Sequence, residues 1–147
     1  MTKVKHILLV EDNEGDVVLT MEALKEAPVA NKVTVARDGL EALNMLRKNT
    51  PYENFVYPDV ILMDINLPKM NGKEVLSIIK SDSLLKTIPV IMLSTSSSES
   101  DISESYKNHA NCYVTKPASY EHFSELVKLI DNFWTKVVKT PGETITI

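Results

Sequence analysis

Short apolar runs alternate along this chain with stretches in which apolar residues recur every three or four positions. The runs predict five β-strands, at residues 7–10, 32–36, 60–63, 89–93 and 112–115. The third run lies between Pro58 and Pro68 and is apolar throughout, which is typical of a strand buried on both faces of a parallel sheet. The second run alternates polar and apolar residues, as a half-exposed edge strand does.

The helical repeats predict five helices, one after each strand. The first is expected to begin at Asp16 as its N-cap and to end at Pro28. The fourth, over residues 96–106, offers only Ile102 and Tyr106 as an apolar pair, so little burial should hold it. The last spans about 119–138, with a core stripe at Phe123, Leu126, Val127, Ile130, Trp134 and Val137.

Strands that alternate with helices indicate an α/β fold, a doubly wound five-stranded parallel sheet. We expect a single domain over residues 1–147, with a core of about 5–136 and a short tail over 137–147.

Chemically active side chains follow the predicted strands. Glu11 and Asp12 end the first, Asp64 the third and Ser94 the fourth, and Lys116 comes one residue after the fifth. In an open α/β sheet, ligands bind in the crevice beyond the carboxyl ends of the strands. Three carboxylates in one crevice repel each other unless a cation lies between them, so the pattern predicts a Mg²⁺ site.

Such a crevice suits phosphoryl transfer, which needs positioning and charge neutralisation more than covalent help. Asp64 can accept the phosphoryl group as an acyl phosphate. Asp12, Asp64 and the backbone carbonyl of Asn66 are expected to bind Mg²⁺. Lys116 would pair with one phosphoryl oxygen, and the Ser94 hydroxyl would donate a hydrogen bond to another.

Four motifs carry a family resemblance: residues 8–13, residues 62–68 with Asn71-Gly72, residues 90–95 and residues 113–117. Together they resemble a two-component response regulator receiver domain over about residues 5–136. The resemblance implies a flavodoxin-like (βα)5 fold that takes a phosphoryl group from a histidine kinase onto Asp64 with Mg²⁺. It also implies that the protein is a signalling switch and not an enzyme, although it should slowly remove its own phosphoryl group.

The resemblance assigns further roles. Glu11 and Asp12 match the acidic pair of the family, and Lys116 matches its lysine. Ser94 matches the hydroxyl residue of the switch, and Tyr113 matches its aromatic residue. The Lys116–Pro117 peptide bond is expected to be cis. Thr95 either shapes access to the phosphoryl site or simply enters the next helix. Phosphorylation should draw Ser94 inward, let Tyr113 move, and so change the face formed by the fourth helix, the fifth strand and the last helix.

Finer details are similar to the small response regulators that serve cyanobacterial phytochrome kinases and lack an output domain. These details are residues 11–16, the insertion around 52–54, residues 109–113 and the Phe133-Trp134 ending. The likeness implies a phytochrome-type kinase as partner. It favours a homodimer or partner face at Tyr113, Leu129 and Phe133, although Leu129 and Phe133 could simply flank the core.

Composition restricts the binding partners and the cellular compartment that can be expected. A net charge of −4 without a basic stripe argues against nucleic-acid binding. The single cysteine excludes an internal disulfide and favours a reducing compartment. No apolar run approaches the roughly 20 residues needed to cross a membrane, and the N-terminus does not resemble a signal peptide. We therefore expect a cytoplasmic protein.

Three other functions remain to be weighed. A phosphatase of the haloacid dehalogenase type needs an aspartate two residues after its nucleophile, where this chain has Asn66. A receiver that serves only as an unphosphorylated interaction module would be expected to have lost Asp12, Asp64 or Lys116, and all three are present. A flavin-binding module needs a phosphate-cradling loop after the first strand, and here that loop is acidic.

Overall fold

A computed structural model describes residues 5–26 and 31–139, whose strands form one parallel sheet. The strands are β1 (Lys5–Val10), β2 (Asn31–Ala36), β3 (Val60–Met63), β4 (Val90–Ser94) and β5 (Cys112–Thr115). Their order is β2-β1-β3-β4-β5, and every neighbouring pair is parallel. The strand order reverses between β1 and β3, which is where ligands bind in such sheets. The predicted fold class is confirmed, including β2 as an edge strand.

The described residues also form five α-helices. They are α1 (Glu14–Lys25), α2 (Gly39–Leu46), α3 (Gly72–Ser81), α4 (Glu99–Lys107) and α5 (Tyr120–Asp131), and a π-helical turn at Asn132–Val137 follows α5. Each α-helix begins after a polar side chain that accepts a backbone N–H of the first turn. These caps are Asn13, Asp38, Asn71, Ser98 and Ser119.

The hydrophobic core lies on both faces of the sheet. Along β1, Leu8 and Val10 join α2 and α3 in one buried cluster, while Ile7 and Leu9 join α1 and α5 in the other. This split follows from the alternation of side chains along a strand. All four residues of β3 are at most 1% exposed, so the predicted central strand is confirmed. The carboxyl ends of β1 and β3 are thus held firmly side by side.

One predicted helix start is wrong. Asn13, not Asp16, caps α1, and Asp16 lies in the first turn.

Little burial holds α4, as expected. Its buried residue is Ser105, whereas Tyr106 is 48% exposed and Ile102 only partly buried. Polar contacts hold α4 instead, because the Lys73 ammonium donates hydrogen bonds to Asp101 at 2.8 Å and to Glu104 at 2.6 Å.

The end of the chain agrees in part with the prediction. In the last helix, Phe123, Val127 and Ile130 are buried, and Leu126 and Trp134 pack beside them. Pro28, the Val137 side chain and most of the tail lie outside the described residues, so the domain limits stay a prediction.

Two further facts concern the backbone. Within the described ranges, the cis peptide bond is Thr50–Pro51, and the expected cis bond at Lys116–Pro117 is not found. The intrinsic preference at an X–Pro bond is only about 0.5–1 kcal/mol, so the surrounding backbone decides the isomer. No helix in this part of the chain combines the length and apolar character that a membrane span requires.

Candidate functional site

Three carboxylates meet where β1 and β3 end. Glu11, Asp12 and Asp64 each offer an oxygen atom, and these atoms lie within 4.8 Å of one another. The backbone fixes them there, since the Asp64 N–H donates to the Val10 carbonyl at 3.1 Å and the Glu11 N–H donates to the Ala36 carbonyl at 3.0 Å. The sequence placed these acids at one edge of the sheet, and the structure brings them together.

The donor set fits a hard divalent cation. Glu11 is buried and Asp12 exposed, so the cluster opens to solvent on one side. Burial raises the pKa of Glu11 to about 7, the hydrogen bond from Lys116 opposes this rise, and the charge on Asp64 adds to it. A cation such as Mg²⁺, which takes oxygen ligands and retains water, would offset this crowding. Asn66 is exposed in the turn after β3, and its carbonyl as a ligand stays a prediction.

Lys116 is the buried cation of the site. Its ammonium donates to Glu11 Oε1 in a short hydrogen bond and to Asp16 Oδ2 at 2.9 Å, and it lies 3.5 Å from Asp64 Oδ2. Burial lowers the pKa of Lys116, but the hydrogen bonds to Glu11 and Asp16 and the charge on Asp64 outweigh burial and raise it. Lys116 is therefore positively charged and directed at the candidate acceptor.

Ser94 is buried at the end of β4, and Thr95 beside it is exposed. The Ser94 hydroxyl oxygen accepts the backbone N–H of Ser96 at 3.2 Å. The carbonyl of Ser96 in turn accepts the Tyr113 hydroxyl at 2.7 Å. The two predicted switch residues are thus joined through one residue, Ser96. Their roles, and the role of Thr95 in access, stay predictions.

The predicted partner face contains an apolar groove of about 300 Å³. It is lined by Val114, Leu126, Leu129, Ile130, Phe133 and Trp134. Leu129 is 65% exposed and Phe133 48% exposed, so both present apolar surface to solvent. Tyr113 does not line this groove, and its ring packs on the opposite side of the sheet, against the cluster of α2 and α3. The structure therefore unites Leu129 and Phe133 but places Tyr113 apart from them.

Sequence reasoning missed the role of Asp16 and the tight contact of Gly72. Asp16 was read as a helix cap, yet its carboxylate binds Lys116, 100 positions away. Gly72 begins α3 so close to β3 that an added Cβ would lie 2.0 Å from the Asp64 carbonyl oxygen. The position of Asp16, four residues after Asp12, was a signal that could have been followed. Gly72 was noted as part of a motif, but its distance from the Asp64 carbonyl could not be read from the sequence.

Comparison with known proteins agrees with this geometry. Residues 7–129 match the response regulator receiver domain family. Response regulator Rcp1 of Synechocystis sp. is 43% identical over 138 residues, which cover 94% of each chain.

Two crystal structures are similar over nearly the whole chain. The phosphorylated cyanobacterial phytochrome response regulator RcpA has a TM-score of 0.92 at 48% identity, covering 95% of this chain and 99% of its own. The Mn²⁺-bound form of Rcp1 has a TM-score of 0.90 at 43% identity, covering 93% and 99%. With its strand order and its acidic crevice, this chain belongs to the response regulator receiver domain family and resembles the cyanobacterial phytochrome response regulators within it.

Proposed function

We propose that this protein is a response regulator that accepts a phosphoryl group on Asp64 from a histidine kinase. One observation carries the proposal: the Asp64 carboxylate belongs to the acidic cluster and also lies 3.5 Å from the buried Lys116 ammonium. An acceptor needs positive charge beside it, because phosphoryl transfer depends on neutralising charge spread over three oxygens. Lys116 supplies one such charge.

The chain's own residues prepare the transfer. Asp64 Oδ1 accepts the Ile65 N–H at 2.8 Å, which orients the carboxylate, while Oδ2 faces Lys116. An Asp64 oxygen bonds to phosphorus as the P–N bond of the phosphohistidine breaks and the imidazole leaves. Glu11, Asp12, Asp64 and the Asn66 carbonyl would hold Mg²⁺, which when bound supplies the positive charge that draws phosphoryl oxygens towards the acids.

The switch is proposed to run through Ser96. A phosphoryl group on Asp64 gives the Ser94 hydroxyl a new acceptor, so the Ser94 oxygen moves and its contact with the Ser96 N–H changes. Ser96 also holds the Tyr113 hydroxyl, and its own hydroxyl donates to Asp101 in α4 at 2.5 Å. Movement at Ser94 thus has a direct path to α4 and β5. Thr95 stands exposed beside this path, where it could shape access to the site.

Intact mass measurement tests the proposed function. The protein should gain one phosphoryl group from phosphoramidate with Mg²⁺ and none after chelation of the metal. Borohydride reduction of the acyl phosphate, followed by peptide mapping, should place the modification on Asp64. No gain under any metal condition would overturn the proposal and favour an unphosphorylated interaction module.

A phytochrome-type kinase is the proposed physiological donor. The support is the similarity to RcpA, a cyanobacterial phytochrome response regulator. We expect a phytochrome histidine kinase to transfer its phosphoryl group within seconds, and a kinase from an unrelated pathway to do so much more slowly. Equal rates from both kinases would contradict this assignment.

We also propose that a second copy of the chain covers the groove of Leu129 and Phe133. The groove lies beside β5, the edge strand of the sheet in the described part of the chain, so apolar surface and a strand edge adjoin. Phe133→Ser should weaken dimerisation at least tenfold, since the burial of an aromatic ring contributes about 1.5–3 kcal/mol. Sedimentation equilibrium measures the dissociation constant.

The control for this measurement is Tyr120→Ser. Tyr120 is an exposed aromatic residue at the start of α5, the helix that carries Leu129, and it does not line the groove. It should leave the dissociation constant unchanged. A monomeric wild type, or equal weakening by both variants, would refute the interface.

A further inference from the structure

Asp16 binds Lys116 through a carboxylate that has no role in the proposed phosphoryl transfer. The Lys116 ammonium has three N–H groups. Two are in hydrogen bonds, to Glu11 and to Asp16, and the Asp64 carboxylate lies 3.5 Å from the nitrogen. Carboxylates therefore surround the ammonium before any phosphoryl group arrives. A phosphoryl oxygen on Asp64 must share the ammonium with Glu11 and Asp16 unless one of these two carboxylates gives way.

Two hydrogen bonds fix the backbone of Asp16, one at its N–H and one at its carbonyl. Its N–H donates to the cap Asn13 at 2.9 Å, and its carbonyl accepts the Thr20 hydroxyl at 2.7 Å. Because Asn13 performs the capping, the Asp16 side chain is available to reach across to Lys116. The contact with Lys116 is therefore set by the start of α1 and does not require movement of the sheet.

Of the partners of Lys116, Asp16 can leave most easily. Its side chain is 30% exposed, against 4% for Glu11 and 12% for Asp64. A carboxylate that turns towards water recovers its hydration, whereas a buried one that loses its cation remains desolvated. Asp64 must also stay, because it is the proposed acceptor. Asp16 is consequently the group that an incoming phosphoryl oxygen would displace.

We propose that Asp16 is a positioning residue that competes with the phosphoryl group for Lys116 and thereby slows phosphorylation of Asp64. The inference rests on the proposed function. With phosphoramidate as donor, an Asp64 oxygen bonds to phosphorus, the P–N bond breaks, and its electron pair leaves with nitrogen as ammonia. The hydrogen bond between Lys116 and Asp16 must break before this transfer. In the acyl phosphate, Lys116 already binds the phosphoryl group, so hydrolysis does not require that hydrogen bond to break again. Asp16 thus acts on formation and not on loss of the phosphoryl group.

Asp16→Asn tests the proposal, with Glu14→Gln as the matched control. Both residues lie in the first turn of α1, so each variant removes one negative charge from the same helix end. Glu14 pairs with Arg37 and not with Lys116. With phosphoramidate and saturating Mg²⁺, Asp16→Asn should be phosphorylated about fivefold faster than wild type, the upper range for a partly exposed ion pair. Glu14→Gln should match wild type.

Two further readouts separate this role from a structural one. The dephosphorylation rate of Asp16→Asn should equal that of wild type, and its affinity for beryllofluoride, a phosphoryl mimic, should rise by the same factor as the phosphorylation rate. Slower phosphorylation would show that Asp16 holds Lys116 ready for transfer, and an unchanged rate would show no competition; either result overturns the proposal. A wild-type protein that takes up no phosphoryl group would instead refute the proposed function.

Discussion

Asp64→Asn is expected to take up no phosphoryl group from phosphoramidate, even at high Mg²⁺ concentration. The amide nitrogen that replaces one carboxylate oxygen is not a nucleophile, and the amide carries no charge for Lys116 to face. The fold should survive, because the substitution keeps the shape of the side chain and removes one of three crowded carboxylates. Intact mass gives the phosphoryl content, and thermal unfolding checks the fold.

Asp12→Asn is the informative comparison. Asp12 is predicted to bind the metal but not to accept the phosphoryl group, so its variant should regain uptake when the Mg²⁺ concentration is raised. Metal dependence alone would then distinguish the metal ligand Asp12 from the phosphoryl acceptor Asp64. Uptake by Asp64→Asn would contradict the assignment and place the acceptor on another residue.

Gly72→Ala is expected to have the largest effect on stability. The added Cβ would lie 2.0 Å from the Asp64 carbonyl oxygen and 2.9 Å from the Ile65 Cα, so backbone must move. Overpacking of this kind costs about 3 kcal/mol. The melting temperature should therefore fall by roughly 10 °C. Because the displaced backbone carries the acceptor, phosphorylation of the folded fraction should also slow.

Gly15→Ala controls for the loss of a glycine from the first turn of a helix. Its added Cβ would meet only the Asn13 side-chain oxygen, at 3.2 Å, and that exposed side chain can shift. We expect a change in the free energy of unfolding of less than about 1 kcal/mol. If Gly72→Ala were as stable as Gly15→Ala, the tight junction between β3 and α3 would not be a constraint.

The sequence was sufficient for the sheet because its signals are local. Four apolar residues between two prolines predict a buried strand at 60–63, and an acid directly after that strand must lie at the edge of the sheet. The same reasoning places Glu11 and Asp12. Since all the strands are parallel, these ends share one edge, and the acidic cluster follows without knowledge of any contact.

Errors arose where a distant residue decides the outcome. Asn13 and Asp16 are equally good N-caps by residue type, and the sequence does not show that Lys116 binds one of them. The thin apolar face of α4 was expected from the sequence, but the ion pairs by which Lys73 from α3 holds that helix through two carboxylates were not. Both contacts join residues far apart in the chain, so local patterns alone do not establish them.

The acidic cluster and its lysine are drawn from distant parts of the chain: Glu11 follows β1, Asp64 follows β3, and Lys116 lies 105 positions after Glu11. The cluster and its lysine therefore come together only when strands far apart in the chain have paired. A ligand that binds only the native state at a hundred times its dissociation constant adds about 2.7 kcal/mol to the free energy of unfolding. Binding of Mg²⁺ at the proposed site would therefore also lengthen the time that each copy of the protein survives proteolysis, independently of any signal it carries.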